Sequence, residues 1–151
     1  MIYQGTARYP VSEIVIHCSA TPPGWMKGQS LAAKRAEIRR WHVDQRGWRD
    51  IGYHHLIDRD GSTLPGRPET EIGAGVEGHN RGVIHICLVG GAGSTADDPF
   101  EKNFAAAQDL ALRGLLTEIA DRTAVSRVSG HNEYAAKACP GFRVLKWRSR
   151  T

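Results

Sequence analysis

The 151-residue sequence predicts an α/β fold: a single domain, residues 1–151, in which a mixed central β-sheet is covered by helices. Three observations carry that expectation. Two nearly uninterrupted apolar runs, IVIHC and VIHICLVGG, have the length and β-branched content of buried strands. Two long segments carry apolar residues at helical spacing, and one Asp-Gly dipeptide lies between two extended runs, a tight-turn signal. Strands alternating with helices favour parallel pairing, and a hairpin adds an antiparallel strand.

The run SEIVIHCS, Ser12 to Ser19, reads as a buried strand closed by ATPPG, with His17 near its end. Strand alternation turns the adjacent Cys18 to the opposite face, into the core. In SLAAKRAEIRRWHVDQRG, Ser30 can cap the first helical turn and Gly47 can close the last, while Leu31, Ile38, Trp41 and Gln45 share one stripe. GYHHLIDRDGSTLPGR has the form of a hairpin turning at Asp60-Gly61, and period two assigns Tyr53, His55 and Ile57 to one face and His54, Leu56 and Asp58 to the other. EIGAGVEGHNRG is a loop whose glycines permit close backbone approach. It lacks the patterns of a phosphate cradle. VIHICLVGG belongs in the middle of the sheet. NFAAAQDLALRGLLTEIADR is a second long helix with Asn103 as its cap and Leu112, Leu115, Leu116 and Ile119 at helical spacing. A short strand is expected at Val125 to Val128, and RVLKWRSRT can form a last helical turn or two.

Composition narrows the function classes. No stretch approaches the ~20 apolar residues of a membrane-spanning helix, and the N-terminus shows no secretory signal. Three cysteines, Cys18, Cys87 and Cys139, suit a reducing compartment better than a disulfide framework. A net charge of +4, from 20 Lys/Arg against 16 Asp/Glu, biases the chain toward polyanionic partners without choosing among nucleic acid, lipid head groups and acidic wall polymer.

HNEYAAKACPGF, His131 to Phe142, concentrates the chemistry. Imidazole and thiolate are zinc donors, and a catalytic zinc uses three protein ligands and one open position. His131 and Cys139 supply two, and His17 at the mouth of a buried strand is the best-placed third. The spacing lacks the regularity of CxxC or HExxH, so an ordinary free thiol beside a surface histidine stands as the alternative.

IVIHCSAT, IRRWHVDQRGWRDIGYHHLIDRDG, GHNRGVIHICLVGG and HNEYAAKACPGF together resemble the zinc-dependent N-acetylmuramoyl-L-alanine amidases of the type 2 family, most of all the small phage endolysins, with peptidoglycan recognition proteins as more distant kin. The likeness runs from Val11 to about Trp147. It implies one zinc per chain on His17, His131 and Cys139, with Tyr53 and Lys137 as catalytic residues. It further implies peptidoglycan as substrate. A monomer is expected, and the lack of a visible signal suggests synthesis in the host cytoplasm and action on the wall once another phage protein has opened the membrane. The chain departs from the family pattern where relatives carry histidine in G-x-H-x-x-G-x-N, reading Gly75 there with His79 four positions on. It departs again where their SIG becomes Val83-Ile84-His85, so no groove contact is carried over. Cys87 reads as packing, and His42 and His54 as hydrogen-bonded structural histidines.

Three other functions compete. A peptidoglycan-binding module that has lost catalysis is disfavoured by the presence of Cys139, Tyr53 and Lys137. A nucleic-acid binder would use KRAEIRRWH and RVLKWRSR, but Glu37 interrupts the first and no recognised motif accompanies them, so no specific nucleic acid is expected. A cysteine hydrolase pairing Cys139 with His131 would work without metal. The tail, with Arg143, Lys146, Arg148 and Arg150 beside Leu145 and Trp147, suits weak contact with an anionic envelope.

Overall fold

The computed structural model describes residues 1–150. In chain order the strands are β1 (Tyr3–Gln4), β2 (Tyr9–Pro10), β3 (Glu13–Cys18), β4 (His55–Ile57), β5 (Thr63–Pro65), β6 (Val83–Leu88) and β7 (Arg127–Gly130). The helices are α1 (Leu31–Arg40), α2 (Phe100–Asn103), α3 (Ala106–Arg122) and α4 (Val144–Arg148). A π-helical turn, Trp41–Gln45, extends α1, and a 3₁₀ turn, His131–Glu133, follows β7. Strands β1 and β2 form a small antiparallel ribbon. The main sheet has the order β5-β4-β6-β3-β7, parallel throughout except for β5 at its edge. This is the mixed, helix-covered sheet that the sequence predicts.

The two apolar runs are strands because both faces of each are covered, and every residue of β3 and β6 is buried. Their register sets Ile14 beside Ile84, Ile16 beside Ile86 and Cys18 beside Leu88. These residues pack with Leu112 and Ile119 of α3 and with Phe142, Val144 and Trp147 in and just before α4. Each such apolar side chain contributes about 1.5–3 kcal/mol through burial. The other face pairs Val15 with His85 and His17 with Cys87. There Leu31 and Ile38 of α1 close over Leu56, Cys87 and Val89. Chemistry at this sheet therefore belongs to the α1 side, at the end of β3 where His17 stands.

Several boundaries differ from expectation for identifiable reasons. The α1 stripe holds at Leu31 and Ile38 but not at Gln45, which is exposed. The π turn changes the helical phase, so His42 is the residue it buries. Lys34 is also buried on this stripe, both Asp58 oxygens accepting from its ammonium at 3.0 Å. Asn103 caps nothing in α3, because the chain breaks at Phe104–Ala105 and its side chain donates instead to Asp98. Ala105 takes the cap position, and the Gln108 side chain accepts its amide at 3.0 Å. Strand β7 begins two residues later than expected. The β1–β2 ribbon was not foreseen, two-residue strands being too short to show a period.

The tail forms α4 as expected, but Trp147 is unavailable for docking, being only 2% exposed. Its indole donates to Asp109 at 3.0 Å and Arg113 lies over its ring at 4.2 Å. Arg143 and Arg150 are paired with Asp97 and Glu101, each at 3.0 Å. Among the described residues, Lys146 and Arg148 make no ion pair, and with Leu145 they remain exposed.

Candidate active site

Strand β3 delivers His17 to its own C-terminal end, and β7, parallel beside it, ends at Gly130 and hands the chain to His131. The Glu133 carboxylate accepts the Gly130 amide at 2.6 Å, which fixes the turn after the strand. Asn132 then donates to the Phe142 carbonyl at 3.0 Å, tying the two ends of the loop together with Phe142 anchored in the core. Cys139 is thereby brought back against β3, where the Cys18 amide donates to its sulfur at 3.3 Å.

His17, His131 and Cys139 converge, each offering one donor atom within 4.8 Å of the others, and could hold a metal ion. His17 Nδ1 and Cys139 Sγ are 3.9 Å apart, and the two imidazole centroids 4.9 Å. Tetrahedral zinc holds such donors about 3.3–3.8 Å apart, so the cluster has the right chemistry in a slightly open arrangement. Electrostatics favours the same reading. Burial, then the fields of His131 and Lys137, push His17 well below its usual pKa, and burial and Lys137 lower His131, so both imidazoles keep lone pairs at neutral pH. The contact with Cys18 and burial push the Cys139 thiol well above its usual range, so a thiolate there needs a cation beside it.

Tyr53 lies between two histidines, its ring 5.2 Å from that of His17 and 5.3 Å from that of His42. Simple alternation with His55 and Ile57 would have turned it to the α3 face. Bends at Gly52 and His54 interrupt the extended chain before β4 starts at His55, and Tyr53 packs instead with Leu56 and Cys87 on the His17 side. Burial holds its phenol well above the ordinary range, so it keeps its proton. Lys137 is exposed on the same loop as His131, and its field reaches both histidines. A groove of about 660 Å³ opens here, bounded by Arg46 and Trp48, the Ala74–Gly78 loop, and His131, Tyr134 and Lys137.

The structural histidines behave as expected. His42 Nδ1 accepts the Gly52 amide at 2.9 Å. His54 Nδ1 accepts the His85 amide at 2.9 Å, so its Nε2 carries the proton and donates to the Glu71 carbonyl at 2.8 Å. A second proton on His54 would set one donor against another, and burial holds its pKa down to about 4. The unfolded chain titrates near 6.5 and so binds more protons between pH 6.5 and 4. The contribution to stability is therefore complete above about pH 6.5 and is lost as pH falls toward 4. His42, lowered to about 4 by burial and then by Arg46 and Arg67, adds the same sign. Urea unfolding is expected to show stability falling by roughly 2 kcal/mol or more between pH 7 and 4.5. A flat profile over that interval would contradict the assignment.

Two groups of side chains escaped the sequence reading. His85 lies 2.8 Å, Nδ1 to Nε2, from His17. The available signal was its place two residues before Cys87, which on a parallel neighbour of β3 puts it on the His17 face. Glu13, buried at the start of β3, accepts from Ser129 at 2.6 Å and from the Tyr134 hydroxyl, and pairs with His79 at 2.8 Å. Burial would raise its pKa, but these hydrogen bonds outweigh it and hold the carboxylate ionised. Glu13 thus ties the groove loop, through His79, to the His131 loop, through Tyr134. Nothing short of the tertiary structure brings those residues together.

A family model described as N-acetylmuramoyl-L-alanine amidase matches residues 7–142. The chain is 40% identical over 144 residues to the endolysin of Klebsiella phage KP32, covering 95% of this chain and 89% of that protein. It is 39% identical over 140 residues to the endolysin of Escherichia phage T7, covering 93% and 87%. Among solved structures, bumblebee PGRP-SA is similar with a TM-score of 0.74 at 25% identity, covering 97% of this chain and 83% of that one.

Proposed function

The chain belongs to the N-acetylmuramoyl-L-alanine amidase family, and from that premise we propose a zinc-dependent endolysin whose site is built from His17, His131, Cys139, Tyr53 and Lys137. The enzyme is an amidase of the endolysin kind, and its substrate is the amide between N-acetylmuramic acid and L-alanine in peptidoglycan. The observation that supports this site best is the convergence of two imidazoles and a thiol beside the groove, with an ammonium on the same loop.

His17, His131 and Cys139 would hold one zinc per chain. Zinc supplies Lewis acidity, lowering the pKa of a water toward neutrality so that it becomes a nucleophile. Tyr53, which keeps its proton, orients the attacking water by donating toward the reacting centre and relays a proton as the bond forms. As the water oxygen bonds to the carbonyl carbon, charge builds on the carbonyl oxygen, and the Lys137 ammonium meets it. The C–N bond then breaks, and the alanine nitrogen leaves with a proton. The Arg46–Trp48 and Ala74–Gly78 walls hold the stem peptide in line. The protein acts as a monomer of one domain, made in the host cytoplasm and reaching the wall through an opened membrane.

Digestion of purified peptidoglycan with and without a chelator tests this reading. New alanine amino groups, lost on chelation and restored by zinc, are the expected result. New reducing sugar ends would mean a glycosidase, and unchanged activity without metal would return the case to a cysteine hydrolase. The weak envelope contact rests on Lys146 and Arg148, the basic residues of α4, each worth about 1 kcal/mol near an anionic surface at low ionic strength. Replacing both by Ser should weaken salt-sensitive retention on whole envelopes and leave cleavage of a soluble muropeptide unchanged. Equal loss on both substrates would mean that the two residues serve the fold.

A further inference from the structure

His85 is fully buried in the centre of the sheet. Its Nδ1 meets Nε2 of His17 at 2.8 Å, while the other nitrogen of His17, Nδ1, faces the Cys139 sulfur. The remaining nitrogen of His85, Nε2, is buried without a hydrogen-bond partner. The space around the ring is tight. A Cβ on Gly75 would come within 2.3 Å of His85 Nδ1, and one on Gly73 within 2.8 Å of its Cδ2. The imidazole therefore fills a volume that exists only because residues 73 and 75 are glycine.

One proton lies between the two rings, and its position decides what His17 can do. If His85 donates, His17 must carry its own proton on Nδ1, pointed at Cys139, and has no lone pair there for a metal. If His17 donates from Nε2, its Nδ1 lone pair faces Cys139 and is ready to ligate. A metal-ligating histidine is ordinarily fixed in this way, its second nitrogen donating to a fixed acceptor. We propose that His85 is a positioning residue: by accepting from Nε2 it holds His17 in the tautomer that can bind metal, and Gly75 is the complementary position that admits it. This rests on the reading of His17 as a ligand. A backbone carbonyl or carboxylate is the commoner acceptor; here a neutral imidazole does the work and leaves its own Nε2–H unpaired.

The tautomer can be read directly in the parental protein, uniformly labelled with nitrogen-15 and stripped of metal, from long-range proton–nitrogen correlations of the imidazoles. A proton on His17 Nε2 is expected, and one on Nδ1 would overturn the proposal. Zinc affinity, measured by competition with a chromophoric chelator, gives a second readout. His85→Leu keeps bulk without an acceptor and should weaken zinc binding by about 10- to 100-fold. His85→Asn places a carbonyl oxygen near the Nδ1 position and should restore most of that loss. Parental affinity in a folded His85→Leu protein, or equal losses in both variants, would reduce His85 to filler. Should His85→Leu not fold, the tautomer decides alone. His17→Ala separates the two readings: if it binds zinc like the parent, the ligand assignment falls, whereas its failure to bind beside an unaffected His85→Leu removes this inference only.

Discussion

Cys139→Ala is expected to abolish zinc binding and hydrolysis together. The thiolate is the anionic donor of the trio and the one whose formation depends most on a cation, since its neighbour Cys18 and burial raise its pKa. The two remaining imidazoles are neutral and leave the metal charge uncompensated. Stability supplies a readout apart from turnover. Zinc at 100 times its dissociation constant should stabilise the parental fold by about 2.7 kcal/mol, a rise in melting temperature of roughly 5–10 °C. The variant should show no rise, with activity below that of any variant that keeps its ligands. Thermal melts with added zinc, run beside the peptidoglycan assay, check both halves. A variant still stabilised by zinc and still active would remove Cys139 from the coordination shell.

Lys137→Ala should give the opposite pattern, with zinc retained and turnover lost. Lys137 is exposed, so its removal should leave the fold intact. In the proposed mechanism it meets charge that exists mainly in the transition state. Loss of one such donor lowers turnover by on the order of 100- to 1,000-fold while substrate binding changes much less. Tyr53→Phe should follow it, keeping metal and losing rate, because the ring packing against His17 and His42 survives and only the hydroxyl goes. Steady-state kinetics on a soluble muropeptide, with zinc content measured on the same samples, separates rate from metal. Parental turnover in a zinc-loaded Lys137→Ala protein would refute the role given to Lys137.

Much of this fold was legible because its central strands are buried on both faces. The runs around Ile14–Ile16 and Ile84–Leu88 have no solvent-facing side to confuse their period, and the helices that cover them show the 3.6 repeat. Legibility failed where one local device replaced another. The π turn after Arg40 moved burial from Gln45 to His42, and the break at Phe104 passed the cap from Asn103 to Ala105. The bends before His55 reversed the face of Tyr53, so alternation alone would have sent this candidate residue into the wrong half of the protein. The donor trio was readable through its motifs. His85 was not, since its meaning depends on strand register and on a missing side chain at Gly75.

The seating of Trp147 sets a limit on how the chain can be rebuilt. Its ring packs against Phe142 at a centroid distance of 5.9 Å, and the Phe142 carbonyl is the anchor for Asn132. Phe142 in turn stands three residues from Cys139. Trimming the C-terminus into α4 would therefore loosen the donor loop from behind, although no trimmed residue lies in the groove. A tag, linker or membrane-penetrating extension joined beyond Ser149 keeps that support, whereas a junction at Leu145 discards it. Screens of shortened or fused lytic proteins should find a sharp boundary at Trp147, crossed by a change from active to metal-poor protein rather than by a gradual decline.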